Sequence, residues 1–210
     1  MANEDHPKLV ATAGMTYQDV QKQSTLNIGE GVYDDGDQYA SRERSFRADA
    51  VFDWHMPGSR LVFPGCRYYS MQTAWHDDPH LIHLWVTTAP DKLTWDQLKH
   101  QMYDIRRRLH EDGWKPAHYN KENKSADELL TEMLEHPPVK EWGDGWDKEV
   151  GGVTYGKGDV ALSLSAKRLG EVPPGHGPLD GTEFIHYVEM DRRAEWEKTY
   201  DYDGGIKLPE

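Results

Sequence analysis

Apolar and polar residues alternate along several stretches of this chain, and this period of two narrows the choice of folds. In SFRADAVFDWHM (45–56), apolar side chains occupy the even positions, while most odd positions are polar or charged. Successive side chains of a β-strand point to opposite faces of a sheet. The pattern therefore predicts a strand with one buried face and one wet face.

Two further strands are predicted at RYYSMQTAW (67–75) and HLIHLWVTT (80–88). Only the turn sequence HDDP lies between them, so we expect an antiparallel hairpin. A short strand, LVF (61–63), precedes them, and we expect it to end before Pro64 and Gly65.

A second alternating region, GGVTYGKGDVALSLSAKR (151–168), predicts a hairpin that turns at residues 156–159. Beyond that turn, one face is apolar and the other mostly polar: Val160, Leu162, Leu164 and Ala166 against Ala161, Ser163, Ser165 and Lys167. TEFIHYVEM (182–190) predicts a last strand, on which His186 is expected to be a hydrogen-bonded core residue. The segment after it predicts a terminal helix capped by Asp191.

Between these regions the spacing of apolar residues changes to three and four, which is typical of a helix. In LTWDQLKHQMYDIRRRLHEDG the apolar stripe comprises Trp95, Leu98, Met102, Ile105 and Leu109. Thr94 and Gln97 have the spacing of a capping box, and Gly113 suits a left-handed C-terminal residue. A second helix is predicted to begin at Ser125, with Glu128 completing its capping box.

This order of elements predicts an α+β fold. We expect an antiparallel sheet or sheets with one long and one shorter central helix packed on a face, plus a short C-terminal helix. Residues 1–45 are weakly patterned apart from a short helix capped by Thr16, and residues 46–210 are expected to form a single α+β domain. A chain of this length buries enough surface to fold without disulfides, and its single cysteine, Cys66, has no internal partner.

The net charge of -13 arises from 37 acidic and 24 basic residues. Nucleic acids attract clustered Lys and Arg, so this balance argues against nucleic-acid binding and favours a basic protein partner. No apolar run is long enough for a membrane span, and the first residues lack the features of a signal peptide. We therefore expect a soluble chain without membrane insertion, cytoplasmic or exported with its signal peptide removed.

One loop combines carboxylates with indoles, which suits binding to such a partner. The sequence EWGDGWDKE provides the candidate partner-binding residues Glu141, Trp142, Asp144, Trp146, Asp147 and Glu149. Tryptophan is enriched at binding hot spots, while nearby carboxylates guide encounter with a basic surface. The alternative is that both indoles pack over a sheet edge, since large aromatic side chains are mostly buried.

A candidate metal site lies at the HDDP turn. If His76 and His80 face each other across the hairpin, they can bind zinc or another divalent metal together with Asp78. Strand alternation places His83 on the other face, beside Leu81 and Trp85. Asp-Asp-Pro is also ordinary turn chemistry, and no second metal motif supports the site.

These observations favour a non-catalytic protein-binding or inhibitor protein, of the kind that bacterial immunity proteins exemplify, with no cofactor. The expectation depends on charge and composition, because the chain contains no nucleophile elbow, P-loop or dinucleotide fingerprint. Two alternatives stay open: a metal-dependent hydrolase that uses His76 and His80, and a glycan-binding module that uses exposed tryptophans.

Overall fold

The computed structural model describes residues 7–28, 33–34, 39–56, 58–74, 80–87, 92–137, 148–171, 175, 179–200 and 205–210. Over these residues the protein is mixed α+β, with four helices and mostly antiparallel strands. The predicted α+β class with mostly antiparallel strands is therefore confirmed.

Runs of strands alternate with single helices along the described parts of the chain. The first half contains β1 (Lys8–Ala11), α1 (Tyr17–Gln23), β2 (Tyr33–Asp34), β3 (Tyr39–Met56), β4 (Ser59–Ala74), β5 (Leu81–Thr87) and α2 (Trp95–Glu111). The second half contains β6 (Lys115–Pro116), β7 (His118–Tyr119), β8 (Lys124–Ser125), α3 (Ala126–Glu135), β9 (Lys148–Lys157), β10 (Val160–Leu169), β11 (Glu183–Arg192), α4 (Arg193–Tyr200) and β12 (Ile206–Lys207).

Nine of the described strands form one large sheet, in the order β1-β3-β4-β5-β11-β10-β9-β6, with β2 paired to β3. β1 runs parallel to β3, and the other described pairings are antiparallel. The centre of the sheet is the pairing of β5 with β11, which joins a meander of β3, β4 and β5 to a meander of β9, β10 and β11. β12, β7 and β8 form a second, small sheet.

Local capping chemistry sets the ends of the helices. Thr94 caps α2 and Ser125 caps α3, each within the predicted capping box. At the end of α2, Gly113 has a φ of 84°, and its amide donates to the carbonyl of His110 at 3.0 Å. The amide of Trp114 donates to the carbonyl of Leu109 at 2.9 Å, which completes a Schellman motif. None of the helices in the described part of the chain is long and apolar enough to cross a membrane.

The main core lies between α2, α3 and one face of the large sheet. All five residues of the predicted stripe on α2 are buried. The ring of Trp95 meets that of Phe184 edge-on, with centroids 5.3 Å apart, and so joins α2 to β11. On the hairpin of β9 and β10, the predicted apolar face enters this core, with Leu162 and Leu164 fully buried.

Three features of the strands differ from the expectation. LVF is not a separate strand, because β4 continues through Pro64 with a register shift opposite Val51. A bulge accommodates proline because the ladder is already interrupted there. Asp53 is not on a wet face but is 4% exposed, since Arg60 on the paired strand covers it and donates two hydrogen bonds to its carboxylate.

The third correction concerns Asp191, which does not cap α4. It lies within β11, directly opposite His83 on β5. The strand therefore runs two residues further than the apolar alternation indicated, and α4 follows it without a break.

Candidate functional site

The large sheet has a second face, opposite α2 and α3, and we call it the outer face. Near the start of β10 a small core of Ala117, Ala161, Trp196 and Leu208 covers it. Further along, register brings together seven side chains that we call the outer-face cluster: Glu149 of β9, Lys167 of β10, Tyr187, Glu189 and Asp191 of β11, and His83 and Trp85 of β5.

A bulge in β5 places His83 on this face. Gln72 pairs with His83 and Thr73 with Leu81, so Ile82 is an extra residue on β5. Leu81 consequently lies in the main core with Leu84, and only Trp85 stays beside His83 on the outer face. The expectation that His83 lies beside Leu81 was wrong, because simple alternation does not survive a bulge.

His83 and Asp191 form a partly buried pair. Nδ1 of the imidazole lies 2.8 Å from Oδ1 of the carboxylate, and the two side chains are 24% and 15% exposed. Burial by itself lowers the pKa of His83, but the hydrogen bond and the charge of Asp191 outweigh it, so the pKa is raised. The imidazole thus favours its protonated form beside the carboxylate.

Glu189 is a half-buried carboxyl group next to this pair. Burial raises its pKa, and the negative charges of Asp191 and Glu149 act in the same direction against the charges of His83 and Lys167. Within the described residues, no group forms a hydrogen bond or an ion pair with it. A cation that approaches Glu189 would therefore stabilise the charged form of this carboxyl group.

Tyr187 connects the carboxylates to the aromatic part of the cluster. Its hydroxyl donates to Oε1 of Glu149 at 3.1 Å, and its ring centroid lies 5.0 Å from that of Trp85. Burial raises the pKa of Tyr187, so the phenol stays neutral and acts as a donor. Nζ of Lys167 lies 5.3 Å from the centroid of the same ring.

Gly152 makes room for the side chain of Ser165, the cross-strand neighbour of Tyr187. It pairs with Ser165, which pairs in turn with Tyr187 on the next strand. A Cβ atom at Gly152 would lie 2.3 Å from Oγ of Ser165, so no other residue fits this position without a shift. Gly152 is exposed, and the hydroxyl of Ser165 takes the place of its missing side chain.

Chemically, the cluster suits the recognition of a cation. Three carboxylates face one lysine and one histidine, and two aromatic rings lie among them. Carboxylates attract positive charge, and aromatic faces bind ammonium or guanidinium groups. Perturbed pKa values of several adjacent groups are typical of functional sites.

The predicted partner-binding residues are placed only in part. Glu149 is exposed at the start of β9 and belongs to the outer-face cluster. The other five, Glu141, Trp142, Asp144, Trp146 and Asp147, lie outside the described residues. Their role in binding therefore stays a prediction.

The predicted metal site is also placed only in part. His76 and Asp78 lie outside the described residues. His80 is exposed and forms an isolated bridge with Thr16, at the wall of a cavity of about 620 Å³. Nowhere in the described ranges do three His, Cys, Asp or Glu side chains converge on a position for a metal ion.

Six residues of the cluster were not recognised from the sequence as members of one site: His83, Trp85, Lys167, Tyr187, Glu189 and Asp191. The alternation of TEFIHYVEM does place Tyr187 and Glu189 together on the face opposite His186. Their meeting with Glu149 and His83 depends on the order and register of four strands, which local patterns do not reveal.

Comparisons with protein-family models, with curated proteins and with solved structures found no match for this chain. Its function is therefore inferred from its own side chains.

Proposed function

We propose that this protein is a non-catalytic binding protein that holds a basic protein partner against the outer face of its sheet. The observation that carries the proposal is the outer-face cluster, in which Glu149 and Glu189 flank the ring of Tyr187. Binding of this kind inhibits the partner when it covers the partner's own functional surface, as an immunity-type protein does.

Charge supports the first step, the encounter. The chain carries a net charge of -13, and a field of one sign raises the association rate with an oppositely charged partner. Glu149 contributes an exposed carboxylate at the rim of the cluster. Rim charges act mainly on association and are screened by salt over about 8 Å at physiological ionic strength.

Aromatic side chains support the second step, the retention of the partner. Trp85 is half-buried and packs against Tyr187, so both rings are held in place before binding. Rigid aromatic groups lose little conformational entropy when they form an interface. The indoles of the loop that precedes β9, Trp142 and Trp146, are proposed to extend this surface.

The experiment is a pull-down from an extract of the source cells, followed by association and dissociation kinetics with the purified partner at two salt concentrations. We expect association to slow as salt rises. Glu149→Gln keeps an acceptor for the Tyr187 hydroxyl but removes the charge, and it should slow association severalfold at low salt.

Glu122→Gln is the matched control, because Glu122 is exposed in the turn between β7 and β8 and the charge change is the same. If the association rate of the captured protein changes neither with salt nor with Glu149→Gln, the assignment of the surface is overturned. Turnover of a small substrate by the pure protein, abolished by His76→Ala or His80→Ala, would overturn the non-enzyme proposal itself.

A further inference from the structure

The ammonium group of Lys167 lies over the ring of Tyr187, 5.3 Å from its centroid. Lys167 is also the direct cross-strand neighbour of Glu149. Even so, within the described part of the chain its Nζ forms no ion pair and no hydrogen bond. The ring and the surrounding negative charge hold this cation, without a dedicated partner of its own.

We propose that Lys167 occupies the position on Tyr187 that an arginine side chain of the partner takes, so that binding displaces the lysine. The inference rests on the proposed function, since it concerns the same outer face. It adds the chemical group that is recognised, a guanidinium, and the residue of this chain that competes with it.

The burial of the Tyr187 ring means that a neighbouring side chain must move before a partner can contact the ring. Tyr187 is 3% exposed, although it lies on the outer face of the sheet. Lys167 and Trp85 both lie against its ring, and Trp85 is a large side chain whose contacts fix it. Lysine has a flexible four-carbon stem, so it is the neighbour that can move away and expose the ring.

The carboxylates around the ring favour arginine over lysine as the incoming group. A lysine of the partner would only replace one ammonium with another. A guanidinium stacks on an aromatic face and also donates paired hydrogen bonds to a carboxylate. Glu149 lies within hydrogen-bonding distance of the Tyr187 hydroxyl, and Glu189 interacts with the charge of Lys167, so both carboxylates lie close to the ring.

The test uses an acetylated and amidated peptide of three arginines, with its three-lysine counterpart as the comparison probe. Binding at millimolar concentrations is followed by NMR on the full chain. We expect the arginine peptide to bind the outer face more tightly than the lysine peptide. Lys167→Gln should tighten binding of the arginine peptide about two- to fivefold, the worth of one partly exposed cation–π contact.

Lys22→Gln is the matched control, because Lys22 is exposed on α1 beside the far edge of the sheet and the charge change is the same. It should leave the affinity nearly unchanged. A second readout follows Lys167 itself. Its ε-methylene protons should resonate upfield in the free protein, under the ring current of Tyr187, and move towards the position of a solvated lysine as the arginine peptide is added.

The outcomes separate this inference from the proposed function. If the arginine peptide binds the outer face but Lys167→Gln tightens it no more than Lys22→Gln, and the lysine protons stay upfield, displacement is overturned while the binding face stands. If the lysine peptide binds equally well, the assignment of a guanidinium is overturned. If neither peptide binds the wild-type protein or Lys167→Gln, the outer face receives no cation, and the proposed function falls together with this inference.

Discussion

Nε2 of His186 on β11 donates a hydrogen bond to Oε1 of Gln101 on α2, at 2.5 Å. The imidazole is 1% exposed, so this bond lies inside the main core and ties the helix to the sheet. Burial lowers the pKa of His186 to about 4, and the positive charge of Arg108 acts in the same direction. The prediction of a hydrogen-bonded core histidine is confirmed, and the residue has a consequence for stability.

We expect the contribution of His186 to stability to be lost as the pH falls from neutral towards 4. An unfolded chain protonates this histidine near its ordinary pKa of 6.5, whereas the folded protein does so only near 4. Between these values the unfolded state binds more protons, so the free energy of unfolding falls with the pH. Between pH 7 and pH 5 the contribution of His186 is about 2 kcal/mol. Urea unfolding of wild type and His186→Gln at both pH values measures it, and equal losses in the two proteins would contradict it.

Leu98→Ala should lower the free energy of unfolding by about 2–5 kcal/mol, as for other buried leucines. Leu98 is fully buried on the stripe of α2 that faces the sheet. His100→Ala is the control, since His100 is exposed on the same helix and its removal should change stability by less than about 0.5 kcal/mol. Denaturant titration compares the two, and a Leu98→Ala effect as small as the control would show that the stripe does not form the core.

Gly152→Ala should destabilise the protein by about 1–3 kcal/mol, because the new methyl group overlaps the hydroxyl of Ser165. The same substitution in a Ser165→Gly background should cost much less, since the atom that it meets is gone. A double-mutant cycle on the free energy of unfolding gives the coupling between the two positions. If Gly152→Ala costs the same in both backgrounds, the close approach of β9 and β10 is not the reason for the glycine.

Trp146→Ala should speed dissociation of the partner and weaken binding by roughly 2 kcal/mol or more, as expected for an aromatic hot spot. Trp146 lies outside the described residues, so this prediction depends on the sequence of its loop alone. Trp142→Ala, measured in the same kinetic experiment, indicates whether one indole or both anchor the contact. If neither substitution changes the affinity, the loop is not part of the binding surface.

The sequence predicts the starts of α2 and α3 well because their signals are local. A capping box needs only Thr94 and Gln97, or Ser125 and Glu128, three positions apart. The glycine that ends α2 is likewise adjacent to the turn that requires it. Each of these signals is complete within a few residues, and the tertiary structure does not override them.

The outer-face cluster is not predictable in the same way, because its geometry is decided by pairings between distant strands. The sequence does not show that Ile82 is an extra residue in β5, and that one residue reverses the face of Leu81 relative to His83. Asp191 resembles a helix cap until β5 is placed beside β11. Glu149 was recognised as a binding residue for its loop, whereas its contact with Tyr187 requires three strands in register.

The central pairing of β5 with β11 also sets the order in which this sheet can assemble. His83 and Asp191 are 108 residues apart in the chain, whereas the strands within each meander follow one another closely. Closing so long a loop costs more entropy than forming a hairpin, and contacts between distant residues slow folding. We therefore expect the two meanders to form first and to dock late. Val86 lies at the junction of the two meanders, opposite Val188. Val86→Ala should therefore speed unfolding more than it slows refolding. A refolding rate that falls in full proportion to the lost stability would instead place this junction in the folding nucleus.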